Sequence, residues 1–188
     1  MEPRVTDFFH HLERTGAPIL PRDVGLIIGM AGIGSNDRIL DVGTGTGILS
    51  ICLGKVGASV ITYEKNAKFF EVAQSNIKKA GVEEMVEVRE GDVIEDLDVL
   101  NDFSVITLDM KDAELVVKHA RKILRTGGIL VAYSPFIESA KRVVECAKDV
   151  SLSDIKTIDT VQREMEFGTR GTRPQTRGVG HSGYLTFA

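Results

Sequence analysis

Residues 38–47 read RILDVGTGTG, an apolar strand pattern that runs directly into a glycine-rich turn. A strand, a glycine turn and a following helix form the setting in which nucleotide-binding loops occur. The dinucleotide pattern places its third glycine at position 48, which is isoleucine in this chain. Asp41 also stands at the end of the strand, where its carboxylate would repel a pyrophosphate. The stretch therefore does not predict a dinucleotide site.

A carboxylate at Asp41 suits a ligand with a cationic amino group or a sulfonium, the charges that S-adenosylmethionine carries. Glu64 ends the second predicted strand 23 residues later, near the spacing at which an acid accepts hydrogen bonds from both ribose hydroxyls. Asp92 follows the third strand and is expected to accept from the adenine amino group. Because the carboxyl ends of parallel strands share one edge of a sheet, we predict one S-adenosylmethionine site there. The predicted cofactor-binding residues are Asp41, Gly43, Thr44, Gly45, Thr46, Gly47, Glu64, Lys65, Asp92 and Val93.

Short apolar runs alternate with helical patterns along most of the chain. Their consecutive Val and Ile residues are typical of strands that are buried on both faces. This alternation predicts an α/β fold with a doubly wound, mostly parallel sheet and helices on both faces. The predicted strands are 38–42, 59–64, 86–90, 103–109 and 129–134.

Helix signals lie between these strands. Asn66 is predicted to cap a helix that buries Phe69 and Phe70 and ends at Gly81, and Asp112 is predicted to cap the next helix. A third apolar stripe follows, at Ile137, Ala140, Val143, Val144 and Ala147.

The pattern changes after residue 149. Residues 155–161 and 184–187 are predicted to form an antiparallel pair of strands at the sheet edge. A long loop without a helix, about 166–180, is expected to join them. A loop of that length in a compact domain is usually functional or disordered.

Composition narrows the class of protein. The 188 residues are 43% apolar and 27% charged, as in one globular domain. A formal charge of −4 and the absence of Trp argue against nucleic-acid binding by bulk electrostatics or a wide stacking platform.

Without a signal peptide or an apolar run long enough for a bilayer, we expect a cytoplasmic protein. Cys52 and Cys146 form no metal-ligand pattern with the four histidines, so no metal site is predicted and both are expected to be buried.

Asp109 closes the fourth predicted strand beside the glycine loop, on the side that we expect to face the methyl acceptor. The residues after it lack the Pro-Pro-aromatic sequence of amino-methylating enzymes, and neither cysteine has the context of a cytosine C5 nucleophile. The mechanism that remains is direct in-line transfer of the methyl group from the donor to the acceptor. In that mechanism Asp109 would orient the acceptor and accept a proton or a hydrogen bond from it. A sheet-end carboxylate with no acceptor role is the alternative.

The C-terminal segment contains four arginines among two glutamates, a local charge of +2. Arginine on a glycine-rich loop suits phosphate contact, and a solvated or subunit-bridging loop fits the same composition. His181, taken alone, is typical of a structural histidine. The arginines are Arg163, Arg170, Arg173 and Arg177.

Read together, these segments resemble the archaeal and bacterial tRNA (adenine-N1)-methyltransferases that act on T-loop adenines. The resemblance covers about residues 14–188, and its C-terminal part is far more specific than the glycine loop. The matching pieces are ILPRDVG at 19–25, the glycine loop with Tyr63-Glu64, VAYSP at 131–135 with Glu138, and a C-terminal signature at 163–166, 173–174 and 179–185.

The resemblance implies a class I, Rossmann-like methyltransferase core with an antiparallel final strand, a homotetramer and a tRNA substrate held by several subunits. Asp109 would accept from the exocyclic amine while adenine N1 attacks the methyl group. The signature makes Arg173, Arg177 and His181 candidate substrate-binding residues. Residues 1–20 would be a lead-in and 21–188 the catalytic domain, so the family's β-rich N-terminal domain is expected to be absent.

Two positions depart from the family. Met110-Lys111-Asp112-Ala113 replaces its proline-rich aromatic segment, and Leu20 replaces its tyrosine. Both changes remove surface against which a base packs. Two alternatives therefore stay open, a small-molecule methyltransferase of the corrinoid-precursor type and an inactive cofactor-binding subunit that binds RNA.

Overall fold

The computed structural model describes residues 4–16, 18–176, 178 and 180–188. Two helices precede the first strand, and a short 3₁₀ turn, Val93–Glu95, follows the third. The helices are α1 Val5–His11, α2 Pro21–Met30, α3 Ile48–Lys55, α4 Ala67–Ala80, α5 Glu114–Val117, α6 Ala120–Ile123 and α7 Ile137–Asp149. The strands are β1 Arg38–Val42, β2 Ser59–Glu64, β3 Val86–Glu90, β4 Phe103–Leu108, β5 Leu124–Ser134, β6 Lys156–Asp159, β7 Met165–Gly168, β8 Gly171–Pro174 and β9 Tyr184–Phe187.

Seven strands form one sheet in the order β3-β2-β1-β4-β5-β9-β6. Strands β1 to β5 pair in parallel, and β9 pairs antiparallel with both β5 and β6. The α/β fold class, the mostly parallel sheet and the antiparallel final strand are therefore confirmed. Because strand order reverses between β1 and β4, a crevice opens at the carboxyl ends of these strands.

Both faces of the sheet are buried, as the uninterrupted apolar runs require. Ile39 packs in the hydrophobic cluster on one face and Leu40 in the cluster on the other, following the period-two alternation of a strand. Helices α1 to α4 contribute to the first cluster, and α5 to α7 to the second. The buried cysteines divide between them, with Cys52 in the first and Cys146 in the second.

Helix α4 begins and ends where its sequence predicts. The Asn66 side chain accepts hydrogen bonds from the backbone N–H groups of Lys68 and Phe69, and Gly81 ends the helix in the left-handed region. Phe69 and Phe70, expected to be buried, are only partly so.

The prediction that Asp112 caps the next helix is wrong. Asp112 has a φ of +60°, and its backbone carbonyl, not its side chain, accepts from the Leu115 N–H. The chain here forms two short helical turns, α5 and α6, in place of one longer helix. Strand β5 also starts at Leu124, five residues earlier than predicted, because Leu124 pairs with Phe103.

The segment between β6 and β9 holds a hairpin that was not predicted. Strands β7 and β8 pair antiparallel as a separate two-stranded sheet, and all eight of their residues are exposed. Within the described residues, the helices are too short or too polar to cross a membrane.

Candidate active site

A cavity of about 310 Å³ opens at the carboxyl ends of β1, β2 and β4. It brings together eight of the ten predicted cofactor-binding residues and the predicted catalytic residue. Those on its wall are Gly43, Thr44, Gly45, Thr46, Glu64, Lys65, Asp92, Val93 and Asp109. Asp41 and Gly47 do not line it.

The glycine loop is fixed to the neighbouring strands by its backbone. The N–H groups of Gly43 and Thr44 donate to the Tyr63 carbonyl at 3.0 and 3.2 Å. Gly43 has a φ of +92°, and a Cβ atom built on it would lie 2.0 Å from the Asp109 carbonyl oxygen. Only glycine fits this conformation and this spacing. The backbone of the loop at Gly43 therefore packs directly against the backbone at the end of β4.

Asp41 lies beneath the loop. Its carboxylate accepts hydrogen bonds from the hydroxyls of Ser50 at 2.5 Å, Thr62 at 2.9 Å and Thr107 at 2.6 Å. Burial raises the pKa of Asp41, and the three hydroxyl donors oppose that rise. Asp41 does not line the cavity. The predicted contact between Asp41 and the cofactor therefore stays a prediction.

Glu64 is buried but lines the cavity. Its Oε2 accepts from the Gly45 N–H and its Oε1 from the Asn66 N–H, both at 2.9 Å. Each carboxylate oxygen has a second lone pair, so the group keeps acceptor capacity for ribose hydroxyls. The Asp92 carboxylate accepts from the Ile94 N–H at 3.1 Å and begins the turn that places Val93 in the wall.

Asp109 follows β4 directly, and its N–H donates to the Val42 carbonyl at 2.9 Å. The residue is open to the water of the cavity, yet protein atoms crowd its carboxyl group. This desolvation, and secondarily the charge of Asp41, raises the pKa of Asp109 to about 7. A carboxylate of this kind accepts a proton near neutral pH more readily than an ordinary aspartate.

Several lining residues were not predicted. Thr15, Gly16, Pro18 and Ile19 reach the cavity from the segment before α2, and Leu49, Phe69, Met110 and Lys111 also line it. Phe69 has a visible signal, because it is an aromatic residue in the first turn of the helix that follows a strand-end acid. Ile19 belongs to the segment at 19–25 that carries the resemblance, whereas Thr15, Gly16 and Pro18 have no signal, because only the fold brings them near the glycine loop.

The cavity fits the adenosyl and methionyl parts of S-adenosylmethionine. Glu64 offers acceptors for ribose hydroxyls, and Val93 and Phe69 offer apolar surface for a base. The Asp109 carboxylate suits a cationic centre.

The two predicted substrate-binding residues that the structure describes, Arg173 and His181, lie elsewhere. Arg173 is exposed on β8, with its Nε 3.4 Å from a Glu166 oxygen, and Arg177 lies outside the described residues. The His181 ring contacts the Asp159 carboxylate at 3.0 Å and the Pro135 carbonyl at 3.3 Å. Both contacts raise the pKa of His181, the Asp159 hydrogen bond most. Neither Arg173 nor His181 lines the cavity.

Three segments that carry the resemblance meet at Ser182. The Ser182 hydroxyl donates to Asp23 at 2.7 Å and accepts from Arg22 at 3.0 Å. The Tyr133 hydroxyl donates to the Ser182 carbonyl at 2.5 Å. The C-terminal signature therefore holds the start of α2 and the end of β5 together.

Comparisons with known proteins agree with this geometry. Residues 10–171 match the family described as the GCD14 subunit of the tRNA methyltransferase complex. The tRNA (adenine(57)-N(1)/adenine(58)-N(1))-methyltransferase TrmI of Methanocaldococcus jannaschii is 35% identical, over 100% of this chain and 77% of that protein.

Two solved structures share the fold. The tRNA (m1A58) methyltransferase TrmI of Aquifex aeolicus superposes with a TM-score of 0.90 at 24% identity, over 98% of this chain and 75% of that one. The precorrin-8w decarboxylase of Methanobacterium thermoautotrophicum superposes with a TM-score of 0.78 at 22% identity, over 92% of each chain. At these identities the likeness shows the fold alone. From the family match, the archaeal relative and the cavity together, the chain belongs to the GCD14 family of tRNA methyltransferases and uses S-adenosylmethionine.

Proposed function

We propose that this protein transfers a methyl group from S-adenosylmethionine to N1 of an adenine in tRNA, in the cytoplasm where that substrate resides. The observation that carries the proposal is the position of Asp109, whose N–H is hydrogen-bonded to the Val42 carbonyl and which lines the cavity that the glycine loop forms. The archaeal relative carries this activity in its name. The position of Asp109 on the cavity wall, next to the glycine loop, supports a role for this acid in the transfer.

Adenine N1 attacks the donor methyl carbon while the carbon–sulfur bond breaks, so the products are a cationic methyladenine and a neutral thioether. Asp109 accepts a hydrogen bond from the exocyclic amine, which orients N1 toward the methyl group. The same carboxylate then takes the proton that the cationic product loses, and its raised pKa suits that role.

The experiment is a tRNA methylation assay with labelled donor, followed by nucleoside analysis for 1-methyladenosine. Asp109→Ala is expected to lower the transfer rate by about 10²-fold or more and to keep binding of S-adenosylhomocysteine. Asp98→Ala is the matched control, since Asp98 is exposed and pairs only with Lys122 among the described contacts. Absence of 1-methyladenosine from every tRNA tested would refute the proposed acceptor.

A second candidate, methylation of a tetrapyrrole-like small molecule, is supported by the precorrin-related structure of similar length. Met110 and Lys111 line the cavity where the family has a proline-rich aromatic segment, which also favours a different acceptor. RNA-independent turnover of a corrin precursor would establish this candidate. An inactive RNA-binding subunit is the third, and Asp109→Ala without effect on cellular tRNA modification would support it.

We further propose a homotetramer in which tRNA contacts several subunits. The hairpin β7–β8 supports this, because Phe167 is 82% and Met165 47% exposed, so both apolar side chains are available to pack against another subunit. Native mass spectrometry should show four copies. Phe167→Ser, which removes the largest exposed apolar side chain, should weaken the assembly.

A further inference from the structure

Asn76, on the buried face of α4, is a fully buried polar side chain that none of the roles above uses. Its amide nitrogen donates to the carbonyls of Glu13 and Thr46, both at 2.9 Å. Its amide oxygen accepts from the Glu13 N–H at 3.3 Å. Both protons of the side-chain amide and its carbonyl oxygen are therefore hydrogen-bonded, as expected for a buried asparagine.

These three bonds join two segments that are distant in sequence. Glu13 belongs to the N-terminal segment that continues into Thr15 and Gly16, and Thr46 belongs to the glycine loop. Thr15, Gly16 and Thr46 all line the cavity. The Thr15 hydroxyl oxygen lies 3.8 Å from where a Cβ of Gly45 would stand, so the segment packs against the loop.

The Glu13 side chain is exposed, so its own burial does not hold the segment in place. Asn76 instead engages both the N–H and the carbonyl of Glu13, as a neighbouring strand would. A backbone held in this way has one register relative to the loop.

We propose that Asn76 is a positioning residue for the cofactor site. It fixes residues 13–16 across the glycine loop, so that this segment forms part of the wall that binds S-adenosylmethionine. The proposal rests on cofactor binding and does not depend on which acceptor is methylated. Under this proposal residues 13–16, which the sequence predicts to be part of a lead-in, belong to the catalytic domain.

The test compares Asn76→Leu with Ile77→Ala in the full chain. Leucine keeps the branching and the heavy-atom count of asparagine but removes all three hydrogen bonds, while Ile77 is the neighbouring buried residue of α4 and touches the apolar core. Calorimetry measures the Kd for S-adenosylhomocysteine, and thermal unfolding measures Tm. Hydrogen exchange follows the amides of residues 13–16.

We expect Asn76→Leu to raise the Kd by about tenfold, which corresponds to about 1.4 kcal/mol. Exchange at residues 13–16 should be faster and should no longer respond to the ligand. Ile77→Ala should lower Tm and leave the Kd within about twofold of the unaltered chain.

An unchanged Kd in Asn76→Leu, or an equal rise in Ile77→Ala, would overturn the proposal and leave Asn76 a structural residue. If Asn76→Leu does not fold, hydrogen exchange in the unaltered chain is the test. The amides of residues 13–16 must then exchange more slowly when S-adenosylhomocysteine binds, and unchanged exchange would overturn the proposal. A chain that binds no S-adenosylhomocysteine at all would instead refute the cofactor site itself.

Discussion

Replacing Gly43 with alanine should disable the catalytic side of the site while the rest of the sheet stays folded. A Cβ at this position would lie 2.0 Å from the Asp109 carbonyl oxygen, whereas ordinary contact begins at 3.4 Å. The end of β4 must therefore move by about 1.4 Å relative to the loop. A misplacement of about 1 Å at a reacting centre costs on the order of 10²-fold in rate.

The left-handed conformation adds a second cost. Gly43 has a φ of +92°, and an L-residue in this region is destabilised by about 1–2 kcal/mol. Gly81→Ala is the matched control, because Gly81 has a φ of +63° with no atom within 4 Å of an added Cβ. Both substitutions place an L-residue in the left-handed region, but only Gly43→Ala also brings a Cβ atom into contact with the Asp109 carbonyl oxygen.

Single-turnover methyl transfer at saturating donor separates these effects, with thermal unfolding measured in parallel. We expect both variants to lose stability, and Gly43→Ala alone to lose about 10²-fold or more in the transfer rate. Equal rates in the two variants would show that the contact between Gly43 and Asp109 does not position the carboxylate.

Four further predictions concern charge. The transfer rate should rise with pH through about 7 and then level off, because Asp109 accepts a proton only when ionised, and Asp109→Asn should remove this inflection. The raised pKa also means that ionised Asp109 destabilises the fold, so Asp109→Asn should raise Tm at pH 8 but not at pH 4. Asp41→Asn should move the inflection in rate to lower pH without returning it to an ordinary carboxyl value, because burial, the larger cause, remains. His181→Gln should lower Tm more at pH 6 than at pH 9, because a raised histidine pKa stabilises the fold when the ring is charged and loses that contribution as pH rises.

The features that the sequence predicts correctly are local. The apolar runs identify the five parallel strands, and the glycine spacing with Glu64 identifies the cavity, because strand ends in this fold meet at one edge. Asn66 and Gly81 act within one or two residues of the helix ends that they define.

The features that the sequence does not reveal depend on contacts between distant segments. Asp41 turns inward because hydroxyls from α3, β2 and β4 converge on it, and no single stretch of sequence shows that convergence. His181 lies on Asp159 and Pro135 because β9 inserts between β5 and β6. The exposed hairpin lacks a buried face, so its strands have no apolar alternation to reveal them.

The inward position of Asp41 still bears on the ligand through a directed chain of hydrogen bonds. The Thr62 hydroxyl donates its proton to the Asp41 carboxyl group. The Thr62 oxygen is then an acceptor for the Thr44 hydroxyl, 2.6 Å away. Thr44 lines the cavity, and its hydroxyl proton is directed at Thr62. We therefore expect this hydroxyl to act as an acceptor toward a bound ligand, which would favour a donor such as an ammonium group and would carry the cation preference predicted for Asp41 to the cavity.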